Sequence, residues 1–548
     1  MHNLYVAFMT ALALAACSQV ASYDVAIVGG GTGGVAAAVQ AARGGADVLL
    51  LEESPWLGGM LTSAGVSATD GNHRMRSGLF GEFADSLSAR YGGMGALATG
   101  WVSNMLFEPH VGAAILDNIC AGAPSLRVEK RARWQKASQA GNGWRLVYTD
   151  AEGRIRRIRA RVLIDGTELG DVAAALGVSC EKSPQVQDLT YVAVLKDFGR
   201  DATLAEPPGY TPSLYRGNDA DPSRVLTYAK LPTRGGPAKY MINWPIEGND
   251  TYADVIEKTP QERKHLLDSA KNITLGFVYY LQTACGFRTL GLADDEFDTP
   301  DRLPYYPYYR ESRRVDGEVR LHVEDLADPY RNALYRTGIA VGDYPVDHHH
   351  HRNPGWKETL AFPPIPSYSV PAGVMIPKGW DNLLVIEKSI SVSFRANGTT
   401  RLQPVVMQVG QAAGALAALS LKTGSIRTVP VRTLQQAVLD YGGYLMPYLD
   451  LPPSDPAFKA LQRIGATGIL KGTGKPVNWA NETWFRAGEP VTEAEVSLEE
   501  YFPGKTLSDL GLPLPDGRLT RREMAVAIDS LLHPFERRAV DYSGNLTD

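Results

Sequence analysis

The stretch that most constrains the fold is Tyr23 to Met60, YDVAIVGGGTGGVAAAVQAARGGADVLLLEESPWLGGM. Asp24 to Val28 is a short apolar run, β-branched at alternate places, as in a strand buried on both faces. Gly29, Gly31 and Gly34 follow in G-x-G-x-x-G spacing. The first permits a tight turn, the second lets a pyrophosphate approach the backbone, and the third lets helix and strand pack closely. Val35 to Arg43 is alanine-rich and helix-forming, so its free N–H groups and positive dipole end face that phosphate. Gly44-Gly45 stops it. Asp47 to Leu51 reads as the second strand and ends at Glu52, 23 residues past Gly29, where a carboxylate can take both hydroxyls of an adenosine ribose. A 2′-phosphate would be repelled there, so the unit points to FAD or NAD rather than NADP.

With 548 residues the chain suggests two to four domains and a large core. A net charge of −5, with no basic stripe interleaved with aromatics, argues against nucleic acid as a partner. Cys120, Cys180 and Cys285 are far apart, with no C-x-x-C spacing, so no metal or iron–sulfur site is expected. They read as buried thiols, with a disulfide left open.

Residues 1–22 stand apart. Leu4 to Ala16 is apolar or small except for Thr10, too short to span a bilayer and right for a signal-peptide core. It closes on Leu14-Ala15-Ala16-Cys17, which resembles a bacterial lipobox and implies a lipid anchor at Cys17 and a place in the cell envelope. Signal cleavage near Ala21, or a cytosolic start, are the other readings, because the leader holds His2 but no Lys or Arg before its apolar run.

Past the acid, Trp56 to Met60 contributes a second glycine turn at Gly58 and Gly59, which would sit beside the pyrophosphate and ribityl chain of FAD. An NAD site has no need of it. A polar segment around His73 precedes a helix from Leu79 to Tyr91, and another helix begins at Glu108-Pro109-His110. Short alternating runs from Leu126 to Ile164 predict a three-stranded meander feeding the strand Val162 to Asp165. Gly166 to Asp171 then leads into an alanine-rich helix.

At this point the chain resembles the FAD-dependent oxidoreductases that carry GGGxxG, an acid, LGGM and an IDATGDGD-like return. The matching residues are Gly29 to Gly34, Glu52, Gly58 to Met60 and Asp165 to Asp171, including Thr167. The departures are Gly166 and Glu168, where the family more often has Ala and Gly. The resemblance implies FAD as cofactor and an α/β fold: a Rossmann-type, glutathione-reductase-like FAD-binding domain (23–180 and 381–446), an inserted α+β substrate domain (181–380), and a small helical C-terminal module (447–548). Similar sequences sometimes carry a polysaccharide-lyase (xanthan lyase) label, but a lyase does not need a flavin site, so that label is set aside.

Within the insertion, Arg310-Glu311-Ser312-Arg313-Arg314 reproduces the family's RESRR segment and could grip a carboxylate, phosphate or acidic sugar. A solvated cluster or an interdomain ion network is the plainer reading. Asp347 precedes four histidines, 348–351, which cannot all face one way. His348 beside Asp347, or else His73, is the candidate acid/base. Near the end, Arg401, Gln403 and Pro404 open a long alanine-rich helix that resembles the family's closing signature and would aim its positive end at the flavin. The tail holds two helices, the second with Thr520 and Glu523 spaced as a capping box. It looks like one S-layer-homology-type module able to bind cell-wall glycan, or equally a packing lid.

The sequence therefore supports an FAD-dependent oxidoreductase taking a hydride from a polar, hydroxylated or anionic, possibly sugar-derived small molecule, with an unknown electron acceptor. The other reading is an exported glycan-binding lipoprotein that retains a nucleotide-binding core without turnover.

Overall fold

A computed structural model describes residues 20–547 apart from 101–104, 183–185, 219–220 and 357–361; residues 1–19 of the leader, Cys17 among them, lie outside the described residues, while Ala21 and Ser22 already belong to the first strand. The opening unit forms as its pattern requires: β1 (Ala21–Val28), α1 (Thr32–Arg43) and β2 (Val48–Glu52). Helix α1 starts three residues before Val35, with Gly31 as its N-cap. A Cβ on Gly34 would lie 1.9 Å from the Gly29 carbonyl oxygen, so only glycine permits this approach of helix to turn. Helices α2 (Gly78–Tyr91) and α3 (Pro109–Ala121) follow.

The meander differs from expectation. Leu126–Lys130 (β3) is no part of it and pairs in parallel with β2 on the edge of the main sheet. The antiparallel meander is β4 (Arg133–Ala140), β5 (Gly143–Thr149) and β6 (Ile155–Asp165). Its last strand is itself the return strand, so the sheet runs β3-β2-β1-β6-β5-β4. Short alternation cannot distinguish a polar edge strand of a parallel sheet from a meander strand. After the short helix α4 (Asp171–Leu176) the chain leaves this sheet.

The insertion builds a second core from β7 (Ala193–Asp197), β8 (Lys239–Ile242), α5 (Pro260–Thr283) and β9 (Leu290–Leu292). β7 lies antiparallel between β8 and β9, and α5 buries Ala270, Phe277 and Leu281 in one cluster with Leu195, Ile242 and Leu290. Apart from Leu169, the buried residues of this core run from Leu189 to Leu303, within 181–380; Val319 to Ile376 pack with the flavin-side helices. The chain returns through β10 (Leu383–Val385), which pairs with β6 at Leu163 to Asp165, beyond the reach of β5.

Helix α6 (Gln403–Thr423) is long and apolar enough to cross a bilayer, yet 89% of its most apolar window is buried inside the protein. It crosses α1 at contact distance because two glycines face that helix. A Cβ on Gly410 would lie 2.1 Å from the Gly33 oxygen, and one on Gly414 2.2 Å from the Ala37 oxygen. Gly410→Ala should therefore cost about 3 kcal/mol or more in a denaturant titration, since backbone atoms, not a flexible side chain, must give way.

The tail is built into the body. Leu461 and Ile464 of α7 (Phe458–Thr467) and Met524 and Ile528 of α8 (Arg521–Leu532) share one apolar cluster with Tyr335, Ile339, Tyr368 and Leu434. Arg336 pairs with Glu500 at 2.5 Å, and the Asn481 N–H donates to the Asp343 oxygen. The Thr520–Glu523 capping box forms as its spacing indicates. A self-contained S-layer-type module would keep its own core, and this segment does not.

Candidate active site

Two cavities lie along the seam between sheet and insertion. The first is lined by Val28, Gly29, Gly31, Glu52, Thr167 and Arg263, at the carboxyl ends of β1, β2 and β6, among others. Ligands bind at that edge in open α/β sheets, where strand order reverses. Glu52 is 3% exposed; its Oε2 accepts from the Gly30 N–H and its Oε1 from the Ser54 N–H, both at 2.7 Å. Burial pushes this carboxyl up to about 7 against the pull of those bonds. Gly58 ties the second glycine turn to the first, its N–H donating to the Gly30 oxygen at 2.8 Å and its own oxygen accepting from Thr32 Oγ1. Asp165 works on the turn itself: Oδ1 accepts from the Thr167 N–H and hydroxyl, and Oδ2 from the Ala173 N–H at 2.7 Å.

The second cavity, about 310 Å³, is lined by Arg310, Asp347, His349 and Arg401, and the fully buried Asp250 links two of them from outside the lining. Arg310 and Asp250, 1% and 0% exposed, pair at 3.2 Å. The other Asp250 oxygen lies 2.6 Å from His349 Nδ1, and His349 Nε2 lies 3.2 Å from Asp347 Oδ2. That Asp347 oxygen accepts from Arg401 at 2.9 Å, while Arg401 also donates to the Tyr308 hydroxyl at 2.6 Å. The result is an alternating chain, Arg310–Asp250–His349–Asp347–Arg401, curved around Tyr308. Burial and the Arg310 charge push the His349 pKa down, but Asp347 and Asp250 together outweigh them and raise it. Asp250 and Asp347 are held well below the usual carboxylate range despite burial, by Arg310 and His349 for the first and by His349 and Arg401 for the second. Trp244, Tyr344 and the tail's Trp479 wall the cavity, with Asp70, Arg224 and Asn243 among its polar lining.

The sequence profile of the FAD dependent oxidoreductase family matches residues 24–438. The chain belongs to that family. No curated protein sequence matches the chain. Among solved structures it is similar to CabE, an aromatic hydroxylase from angucycline biosynthesis (13% identity, 76% of this chain and 65% of that one, TM-score 0.36). It is also similar to p-nitrophenol 4-monooxygenase PnpA from Pseudomonas putida DLL-E4 (12%, 80% and 92%, 0.33). A flavoprotein/dehydrogenase from Cytophaga hutchinsonii gives 13%, 73% and 79%, with a TM-score of 0.33. The chain spans 65% of the length of the angucycline hydroxylase.

The first cavity fits the adenosine half of FAD. Glu52 keeps lone pairs for the ribose hydroxyls, and Gly29, Gly31 and Thr167 line the wall. Removing the carboxylate in Glu52→Ala should weaken FAD binding roughly ten- to 100-fold, the worth of one or two charged hydrogen bonds, read by titrating flavin fluorescence. Met60 is fully buried in an apolar cluster with Val66 and Val192, so it holds the glycine turn and does not line this cavity. Arg401 lines the second cavity; Gln403, at the start of α6, is buried and bonds the Arg401 oxygen. In an FAD-dependent oxidoreductase the amides of Gly33 and Gly34 are expected to meet the diphosphate, but here they meet the carboxylate of Glu387.

The catalytic candidates separate. Of the RESRR segment, Arg310 lines the second cavity and the other four residues line neither of the two. Glu311 and Arg314 form a fully buried ion pair with each other, and burial raises Glu311 to about 6. Arg313 bonds the Leu169 oxygen, Asp171 and Glu257, which joins the insertion to the flavin body. These three therefore stand as structural ion pairs, the plainer of the two sequence readings. His73 lines neither cavity. His348 stacks on Phe362 at 4.8 Å and against Phe394, and burial pushes it down to about 3. His349 takes the place expected for His348, because successive side chains of an extended segment point to opposite sides. Asp347 and His349 share one side, and His348 and His350 share the other, where their rings stack. That alternation was the available signal.

Glu108, His110 and Glu296 also converge as three possible metal ligands. The Lys239 ammonium already holds the cation's place, 2.8 Å from Glu108 and 2.6 Å from Glu296.

Proposed function

We propose that this FAD-dependent oxidoreductase oxidises a hydroxylated ring compound carrying an acid group, with sugar acids as the best-fitting class, and that His349 accepts the hydroxyl proton. The observation that carries the reading is the Asp250–His349–Asp347 chain in a cavity with two buried arginines and aromatic walls. Bound FAD supplies the hydride acceptor. The rest is the work of this chain's residues. Asp250 takes the Nδ1–H and fixes the tautomer with its lone pair on Nε2; Asp347, 3.2 Å from Nε2, must yield that position to the substrate hydroxyl for the proton to transfer, and it then stabilises the imidazolium. Arg310 is spoken for by Asp250, Thr190 and Asn243, and Arg401 by Asp347 and the Tyr308 hydroxyl, so Arg224, over the Trp244 ring, is the cation suited to the substrate's acid group. Trp244, Tyr344 and Trp479 offer faces on which a ring can lie.

The test is an anaerobic screen for bleaching of the flavin spectrum over neutral sugars, sugar acids and small dicarboxylates. Sugar acids should bleach it fastest. Bleaching by dicarboxylates alone, or by none of the three classes, contradicts the reading. The shared core of tail and body weakens the alternative of a glycan-binding protein without turnover. The lipid anchor at Cys17 and an electron acceptor in the cell envelope accompany this proposal on the strength of the leader sequence alone.

A further inference from the structure

Glu387 sits where the diphosphate of a dinucleotide is expected. Its Oε1 accepts from the Gly33 N–H at 2.7 Å and from the Gly34 N–H at 3.3 Å, in the first turn of α1. Those amides and the helix dipole form an anion cradle. The residue is 1% exposed, and its Oε2 has no hydrogen-bond partner among the described residues. Its φ of +58° lies in the left-handed region, which favours glycine. A second acid enters beside it from the loop after β6. Glu168 pairs through Oε2 with the buried Lys388, and its Oε1 is also without a partner among the described residues. A Cβ on Gly31 would meet Glu387 Oε1 at 2.6 Å and Glu168 Oε1 at 3.1 Å; one on Gly59 would meet Glu168 Oε1 at 2.6 Å. The two carboxylates thus fill the space that both glycine turns leave open.

We propose that Glu387 is an internal competitor for the cofactor's diphosphate, and that its carboxylate must take up a proton or leave the cradle before FAD can bind. The inference rests on the FAD assignment and is independent of the substrate reading. Two anions cannot share the same pair of amides. The charged groups facing Glu387 are Glu168 from the return loop and Lys388 from its own turn, while α1 offers amides and α6 presents Val406. Burial, and then Glu168, push its carboxyl up to about 8 against the pull of Lys388 and the two amides. Above that value the ionised side chain holds the cradle; below it the neutral acid is a weak occupant and yields. Diphosphate binding is therefore strongest on the acid side and takes up a proton on the alkaline side.

Calorimetric titration with ADP and with adenosine separates the diphosphate from the rest of the ligand. In the wild-type chain, ADP should bind about ten-fold more weakly near pH 9 than near pH 7, since one linked proton changes affinity by a factor of ten per pH unit beyond the pKa. Adenosine should show no such change. Glu387→Gln should bind ADP equally at both pH values. Glu387→Gly, whose backbone suits φ of +58°, should bind ADP near pH 9 about ten-fold more tightly than wild type. Adenosine binding with an ADP affinity that is flat in pH, or Glu387→Gly binding ADP more weakly than wild type, overturns the competitor role and leaves the cofactor assignment standing. Failure of every form to bind either probe overturns both.

Discussion

Replacing His349 with glutamine is expected to lower the rate of flavin reduction by substrate roughly 10²- to 10⁴-fold, the usual worth of a positioned general base. Flavin affinity should stay unchanged, because His349 lines the second cavity and not the one holding Glu52. The pH dependence has a defined sign. A base must be neutral to act, and the two aspartates raise this pKa above the ordinary histidine value. The wild-type rate should therefore climb with pH through a point above about 6.5. Asp250→Asn removes one of the raising charges and should move that point down. For stability the sign is opposite: the extra stability of the imidazolium is fully present below the unfolded value and is lost as pH rises through the folded one. A rate that is flat in pH, or that falls as pH rises over this range, contradicts the assignment.

Arg310→Leu should have the largest effect on stability. The guanidinium is 1% exposed and faces the fully buried Asp250; it also bonds the Asp188 oxygen, Thr190 Oγ1 and Asn243. Its removal leaves a fully buried carboxylate with His349 as its one remaining charged partner among the described residues, a loss of about 3 kcal/mol. The double replacement Arg310→Leu with Asp250→Asn should recover much of that, because no uncompensated charge then remains. Urea titration of the four forms gives the coupling directly. Additive losses would show that the pair does not act as a unit. Arg313→Leu offers a contrast, since Glu257 is mostly solvent-facing and Asp171 keeps Arg263, so a smaller loss is expected.

The adenosine end was readable in the chain because its determinants are local. Three glycines, a helix and an acid within thirty residues carry their own geometry, and Glu52 and Thr167 line the expected cavity. The second cavity was not readable, because its members include Tyr308, His349 and Arg401, each in a segment without helical or strand periodicity that would place it. Strand alternation from Asp347 would have favoured His349 over His348. The RESRR segment misled for a different reason. A dense charge cluster looks like a ligand grip in one dimension, whereas Glu311 and Arg314 satisfy each other inside the core. Glu387 carried no signal at all, since its importance comes from a left-handed backbone and from amides more than 350 residues away in sequence. The tail followed the same logic: its capping box was visible, but its shared core and Trp479 at the second cavity were not.

If the cavity beside Glu52 holds the adenosine of FAD, titrating the purified chain with FAD near pH 7 will show it. Saturable quenching of flavin fluorescence at one FAD per chain and a gain in melting temperature are expected, with both moved to roughly ten- to 100-fold higher FAD in Glu52→Ala. Fluorescence that rises in simple proportion to added FAD, with an unchanged melting temperature, would contradict that placement.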